Sequence, residues 1–127
     1  MKLMILGAGA IGGYIGGRLI EAGHDVTFLL REATRERLTR EGLRLESTYG
    51  DFAGPAQTIT RDDLTPDYDL IMLTCKAYDL DDAIDAIVPG VGPDTIVLPI
   101  LNGLGHMQVL NERLGADHVL AGTVKIS

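Results

Sequence analysis

Gly7, Gly9 and Gly12 stand in the spacing Gly-x-Gly-x-x-Gly directly behind the apolar run Lys2-Leu3-Met4-Ile5-Leu6. In that pattern the first glycine permits a tight turn and the second lets the backbone approach a diphosphate. The third allows a helix to pack closely on the strand it follows. Amides at the helix N-terminus have no intrahelical partner and carry partial positive charge, so they attract an anion. The candidate diphosphate seat is therefore the whole turn, Gly7, Ala8, Gly9, Ala10, Ile11 and Gly12. About 20 residues past such a turn, a carboxylate would hydrogen-bond the adenine ribose of NAD, whereas an arginine accommodates the additional phosphate of NADP. Here the second apolar run, Val26 to Leu30, ends in Arg31. Thr34 and Arg35 add a hydroxyl and a second cation nearby, and Glu32 is expected to point away if Arg31 points in. These residues favour NADP over NAD.

Lys76 and Asn102 each lie a few residues beyond a later apolar run. In doubly wound sheets, ligands bind outside the carboxyl ends of the strands, near the point where strand order reverses. A lysine there offers a cation to a carboxylate or carbonyl oxygen, and an asparagine offers both donor and acceptor. The pair are the candidate catalytic residues and candidate contacts to a nicotinamide. Plainer readings stand beside these. A glycine turn packs closely without any ligand, and S-adenosylmethionine or a flavin uses a similar turn. Arg31 and Arg35 fit a solvated charged face, a loop lysine is commonly solvated, and Asn-Gly is commonly a turn. A Walker A loop is excluded because no Gly-Lys-Ser/Thr follows the glycines. Cys75 reads as a small core residue, and His24, His106 and His118 are spaced too irregularly for a metal cluster.

The elements that must position these residues alternate. The run at 2–6 reads as a strand buried on both faces, and Ile11, Ile15, Leu19 and Ala22 recur at helical spacing up to a C-cap at Gly23. Gly13, Gly16 and Gly17 inside that helix each cost about 1 kcal/mol of propensity, which a close tertiary contact must offset. Asp25 to Leu30 is a second strand, and 31–40 is at best a short surface helix. Leu43-Arg44-Leu45-Glu46 alternates like a half-exposed strand at a sheet edge, and 47–57 reads as a turn or irregular hairpin. A central strand at 68–74 leads to a helix with Asp79 as candidate N-cap and Leu80, Ala83, Ile84 and Ile87 on one face. A strand at 95–98, a helix carrying Leu104, Met107, Leu110 and Leu114, and a strand starting near His118 complete the series. Short apolar strands alternating with amphipathic helices specify an α/β fold: a Rossmann-like, doubly wound, mostly parallel sheet with helices on both faces.

With 127 residues, the chain has the size of one domain, spanning 1–127. Its 11 basic against 18 acidic residues, net charge −7, give no electrostatic footprint for nucleic acid or an anionic membrane. One cysteine excludes an intrachain disulfide, and no apolar run nears the ~20 residues of a membrane span. A reducing, cytoplasmic location is expected. The last strand signal falls at the end of the sequence, so the chain reads as the front part of a longer protein.

The stretches Lys2-Leu3-Met4-Ile5-Leu6-Gly7-Ala8-Gly9-Ala10-Ile11-Gly12-Gly13, Leu29-Leu30-Arg31, Thr74-Cys75-Lys76-Ala77-Tyr78 and Leu101-Asn102-Gly103-Leu104-Gly105 together carry a resemblance. From about Leu3 to Val124 the chain resembles the N-terminal, NADP-binding domain of the ketopantoate reductase (2-dehydropantoate 2-reductase) family. The resemblance implies an NADPH-dependent reduction of the ketone of 2-dehydropantoate, or a related 2-oxoacid, to pantoate on the route to pantothenate and coenzyme A. Carried over by position, Gly7, Gly9 and Gly12 would hold the diphosphate and Arg31 the adenosine phosphate. Lys76 would sit by nicotinamide and substrate, and Asn102 would contact the cofactor. Leu101 departs from the Gln or His usual in the family. Absent from the chain is the family's C-terminal helical domain, which carries the main proton-donor lysine, so the fragment alone is expected to be inactive. A homodimer of the full-length protein is left open. The rival class is a non-catalytic NAD(P)-binding sensor, which needs the glycine turn and Arg31 but has no use for Lys76 and Asn102.

Overall fold

Five short runs, β1 (Lys2–Leu6), β2 (Asp25–Leu29), β5 (Gln57–Ile59), β6 (Leu70–Leu73) and β7 (Ile96–Pro99), form one sheet in the order β5-β2-β1-β6-β7. All four pairings are parallel. The computed structural model describes residues 1–7, 10–46, 50–74, 80–100 and 105–120. From β1 the chain steps outward to β2 and β5, then returns to β6 on the other side of β1. Strand order therefore reverses between β1 and β6, the place where such sheets open a crevice at their carboxyl ends.

Both faces of the sheet are covered, which is why its strands read as continuous apolar runs rather than alternating ones. On one face Met4, Ile71, Leu73 and Val97 pack with Leu80, Ile84 and Ile87 of α3 (Leu80–Ile87) and Leu110 of α4 (Gly105–Leu114). On the other, Leu3, Ile5, Val26 and Phe28 meet Ile11, Ile15 and Leu19 of α1 (Ala10–Glu21), with Leu38 of α2 (Glu32–Glu41). Gly23, at φ +91°, ends α1, and its N–H donates to Ile20 O at 2.9 Å.

The short surface helix expected over 31–40 is present as α2, in which Leu38 alone is buried, so one apolar anchor holds an otherwise polar helix. Two other local expectations change. The run from Leu43 is no edge of the main sheet: β3 (Leu43–Leu45) pairs antiparallel with β4 (Phe52–Gly54) in a separate ribbon against α1. Burial of Leu43 in the same cluster as Leu38, with Phe52 packed on it, draws the ribbon to that face. Within 47–57, read as a turn or irregular hairpin, the hairpin strand β4 appears, but Gln57 already opens β5, the true sheet edge. The expected N-cap Asp79 lies outside the described residues. Of the last expected strand, Val119 forms a parallel bridge with Val97, and Leu120 N donates to Val97 O at 2.9 Å.

Candidate functional site

β1 ends in Gly7, whose φ of +92° is favoured by a residue without Cβ, and whose N–H donates to Leu29 O at 3.1 Å. From the end of β6 the Thr74 hydroxyl donates to Leu6 O at 2.7 Å. A Cβ at Gly12 would lie 2.7 Å from both Gly7 O and Thr74 Oγ1 and 3.3 Å from Ile5 Cγ2. The start of α1 is thus seated directly on the carboxyl end of β1, and only glycine fits at 12. Four residues on, a Cβ at Gly16 would run into the Phe28 ring, with Cε1 at 2.7 Å, and lie 3.1 Å from Ile5 Cδ1. That seam is the close contact that offsets the propensity lost to glycines in α1.

Over this turn opens a cleft of about 740 Å³, within the ~300–1,000 Å³ typical of ligand sites. Leu6, Gly7 and Thr74 lie at the ends of β1 and β6, and Arg31, Thr34 and Arg37 come from α2 and its approach. Thr60, Arg61 and Asp62 contribute from the turn after β5, and Asp82, Ala83 and Ala86 come from α3. Arg31 is the N-cap of α2, in extended conformation with no side-chain cap bond, and it follows β2 directly. Its exposed side chain has no hydrogen-bond or ion-pair partner among the described residues. A guanidinium without a partner among the described residues, at the end of β2, could hold an anionic group.

Gly7 and Arg31 line the same cleft, and Gly12 packs directly against Gly7. Ala10 opens α1, and Ile11 packs partly buried against the core on that face. Ala8, Gly9, Lys76 and Asn102, with Cys75, lie outside the described residues. Glu32 is also among the residues that line the cleft, and its carboxylate lies 3.4 Å from Arg35. One expectation is corrected. Arg35 in turn is absent from the lining, and Arg37 takes that place. Helix phase is the reason, because Arg37 is i+3 from the lining residue Thr34 and shares its face, whereas Arg35 is rotated about 100° away. Arg61 and Thr60 were missed outright, because the only signal ahead of them is the three-residue run Gln57-Thr58-Ile59, too short to announce a strand. Of the histidines, His106 is buried and His118 Nδ1 lies 2.8 Å from Thr95 O. No helix among the described residues is long and apolar enough to cross a membrane.

Comparison with known proteins gives a consistent result. A family model described as ketopantoate reductase PanE/ApbA matches residues 3–127. The chain is 37% identical over 122 residues to the uncharacterized oxidoreductase YkpB of Bacillus subtilis, covering 96% of this chain and 40% of that protein. It is also 37% identical over 122 residues to the 2-dehydropantoate 2-reductase of Nostoc sp., covering 95% of this chain and 38% of that protein. Among solved structures, D-mandelate dehydrogenase in a ternary complex with NADH and anilino(oxo)acetate superposes with a TM-score of 0.87 at 26% identity, covering 97% of this chain and 40% of that one. The chain thus spans well under half the length of the relatives it matches.

Proposed function

We propose a function from one premise: the chain belongs to the ketopantoate reductase PanE/ApbA family. That family is one of oxidoreductases, and residues 1–127 are read as the dinucleotide-binding domain of such an enzyme. The reaction proposed is the NADPH-dependent reduction of 2-dehydropantoate, or a related 2-oxoacid, to the 2-hydroxy acid. Its place is the cytoplasmic synthesis of pantothenate and coenzyme A. The observation that carries the cofactor reading is Arg31, without a carboxylate partner among the described residues, lining the same cleft as Gly7 at the end of β1.

When bound, the nicotinamide supplies a hydride. The chain's own residues bind and orient. The turn from Gly7 to Gly12 holds the diphosphate, Arg31 the adenosine phosphate, and Lys76 and Asn102 are assigned to the nicotinamide and substrate end. Reduction also needs an acid near the developing alkoxide and the carbonyl held within about 3–3.5 Å of the hydride donor. Those tasks are assigned to a helical domain of the full-length protein, so residues 1–127 alone are expected to give no turnover. Neither nucleic acid nor a membrane is proposed as a partner.

Glu32 supports a second reading. It lines the cleft with Arg31, and a carboxylate at that place could accept from the ribose diol of NADH. Titrating the full-length protein with each dinucleotide and then assaying 2-dehydropantoate reduction tests both. Tighter NADPH and steady turnover are the expected result, and preference for NADH would transfer the specificity to Glu32. Tight binding without turnover of any 2-oxoacid would support a sensor instead.

A further inference from the structure

The cleft holds more positive charge than Arg31 supplies. Among the described residues, Lys2, Arg18, Arg35, Arg40 and Arg113 each pair with a carboxylate. Arg31, Arg37 and Arg61 have no such partner, and all three line the same cleft. Arg44, on the β3–β4 ribbon, is the other unpaired one. Unpaired cations on a chain of net charge −7 are therefore gathered rather than scattered. Glu32, Asp62 and Asp82 line the cleft too, so its formal charges balance, but none of the three carboxylates pairs with Arg31, Arg37 or Arg61, and Glu32 is engaged by Arg35 instead.

Backbone geometry brings two of these arginines to one place. Leu29 and Ile59 are register partners at the ends of β2 and β5, and Leu30 N donates to Ile59 O at 3.0 Å. Arg31 and Arg61 each follow that pair by two residues, on strands spaced about 4.8 Å apart. Arg37 joins them from the second turn of α2, a helix fastened to β5 by the 3.1 Å contact between the Thr39 and Thr58 hydroxyls. Thr34 and Thr60 supply hydroxyls beside the arginines. Guanidinium forks match the oxygens of a phosphate, so arginines without a carboxylate partner among the described residues are suited to take one up.

We propose that Arg61 and Arg37 act with Arg31 as a three-arginine seat for the phosphate monoester on the adenosine ribose, which makes Arg61 a specificity-determining residue for the phosphorylated dinucleotide. This rests on the NADPH reading above and assigns its selectivity to residues from two separate elements. A single arginine at the end of β2 would account for recognition, but not for the two further unpaired cations brought to the same cleft.

The test is calorimetric titration of the full-length protein with adenosine 2′,5′-bisphosphate and with 5′-AMP, probes that need no nicotinamide contact. Arg61→Gln and Arg37→Gln should each weaken the bisphosphate roughly 10-fold while changing 5′-AMP by less than about 2-fold, as loss of a charge-assisted hydrogen bond requires. Arg61→Lys should recover part of the loss. Since neither side chain bonds to another of the described residues, the variants should melt with the wild type. Unchanged bisphosphate affinity in both variants, or an equal loss for the two probes, overturns the proposal. If Arg31→Gln alone removes the preference, the NADPH reading stands and this inference falls. If the wild type binds both probes equally, the NADPH reading itself fails.

Discussion

The Thr74 hydroxyl and the Leu6 carbonyl oxygen, 2.7 Å apart, tie the end of β6 to the end of β1 across the point where strand order reverses. The same Oγ1 lies 3.6 Å from where a Cβ on Gly7 would stand and 2.7 Å from where one on Gly12 would stand. One side chain thus braces the end of β1 and the seat of Gly12 on it, although it lies far away in sequence.

Thr74→Val should therefore do more than lower stability. Losing a typical intramolecular hydrogen bond costs about 0.5–1.5 kcal/mol, which thermal unfolding of the full-length protein would register. Dinucleotide affinity should fall as well, and Thr74→Ser, which keeps the hydroxyl, should restore most of it. A valine variant that melts early yet binds dinucleotide normally would show the contact to be purely structural.

Gly12→Ala and Gly16→Ala should separate two roles that look alike in sequence. At 12 the added methyl meets a backbone oxygen, Gly7 O, which cannot move without reshaping the turn, so dinucleotide binding should be lost. At 16 it meets the Phe28 ring and Ile5 Cδ1 in the core, and overpacking there typically costs about 1–3 kcal/mol. Gly16→Ala should melt early but bind once folded. Titration below each variant's melting temperature distinguishes them, and equal binding by both would remove the special status of Gly12.

Arg31 and Glu32 share the cleft, and their variants should move cofactor preference in opposite directions. Arg31→Ala should weaken NADPH by about 1.5–3 kcal/mol, the range for a hydrogen bond to a charged group, and leave NADH nearly unchanged. Glu32→Gln should leave NADPH as tight or tighter and weaken whatever NADH binding exists. Parallel losses for both dinucleotides in Arg31→Ala would indicate a general electrostatic effect.

How much of this was legible in the sequence follows the range of the interactions. Gly7, Gly12 and Gly16 were readable because their tasks are local: a turn, and a helix packed on the strand before it. Arg31 was readable because it follows a recognisable strand directly. Arg61 was not, since its position depends on β5 pairing with β2 through only three register pairs, and a three-residue strand between polar loops carries little pattern. The exchange of Arg35 for Arg37 has a similar cause, because the face that α2 presents is set by Leu38 docking on the core. The ribbon of β3 and β4 shows the same limit: alternation announced a strand but could not say which strand would pair with it.

At the opposite end of the strands, Lys2 Nζ and Asp67 Oδ2 form a 2.8 Å ion pair, and Thr65 donates to Asp67 Oδ1 at 2.6 Å. The hydrogen bond from Lys2, then that from Thr65, lowers the Asp67 carboxyl below its ordinary 3.8. The bond to Asp67 raises Lys2 above its ordinary 10.5, against a smaller desolvation effect. A depressed carboxyl contributes stability that is complete above 3.8 and is lost as pH falls through its lower folded value. A raised ammonium contributes stability that is complete below 10.5 and is lost as pH climbs through its higher folded value. The melting-temperature difference between wild type and Asp67→Asn should therefore be a small plateau between those limits that closes in acid and in strong base. It should stay small because the pair is exposed and screened by solvent. Dinucleotide affinity should not change across the plateau, since the pair lies at the amino end of β1 and the cleft at its carboxyl end. A gap that stays constant from acid to base would mean Asp67 acts through shape rather than charge.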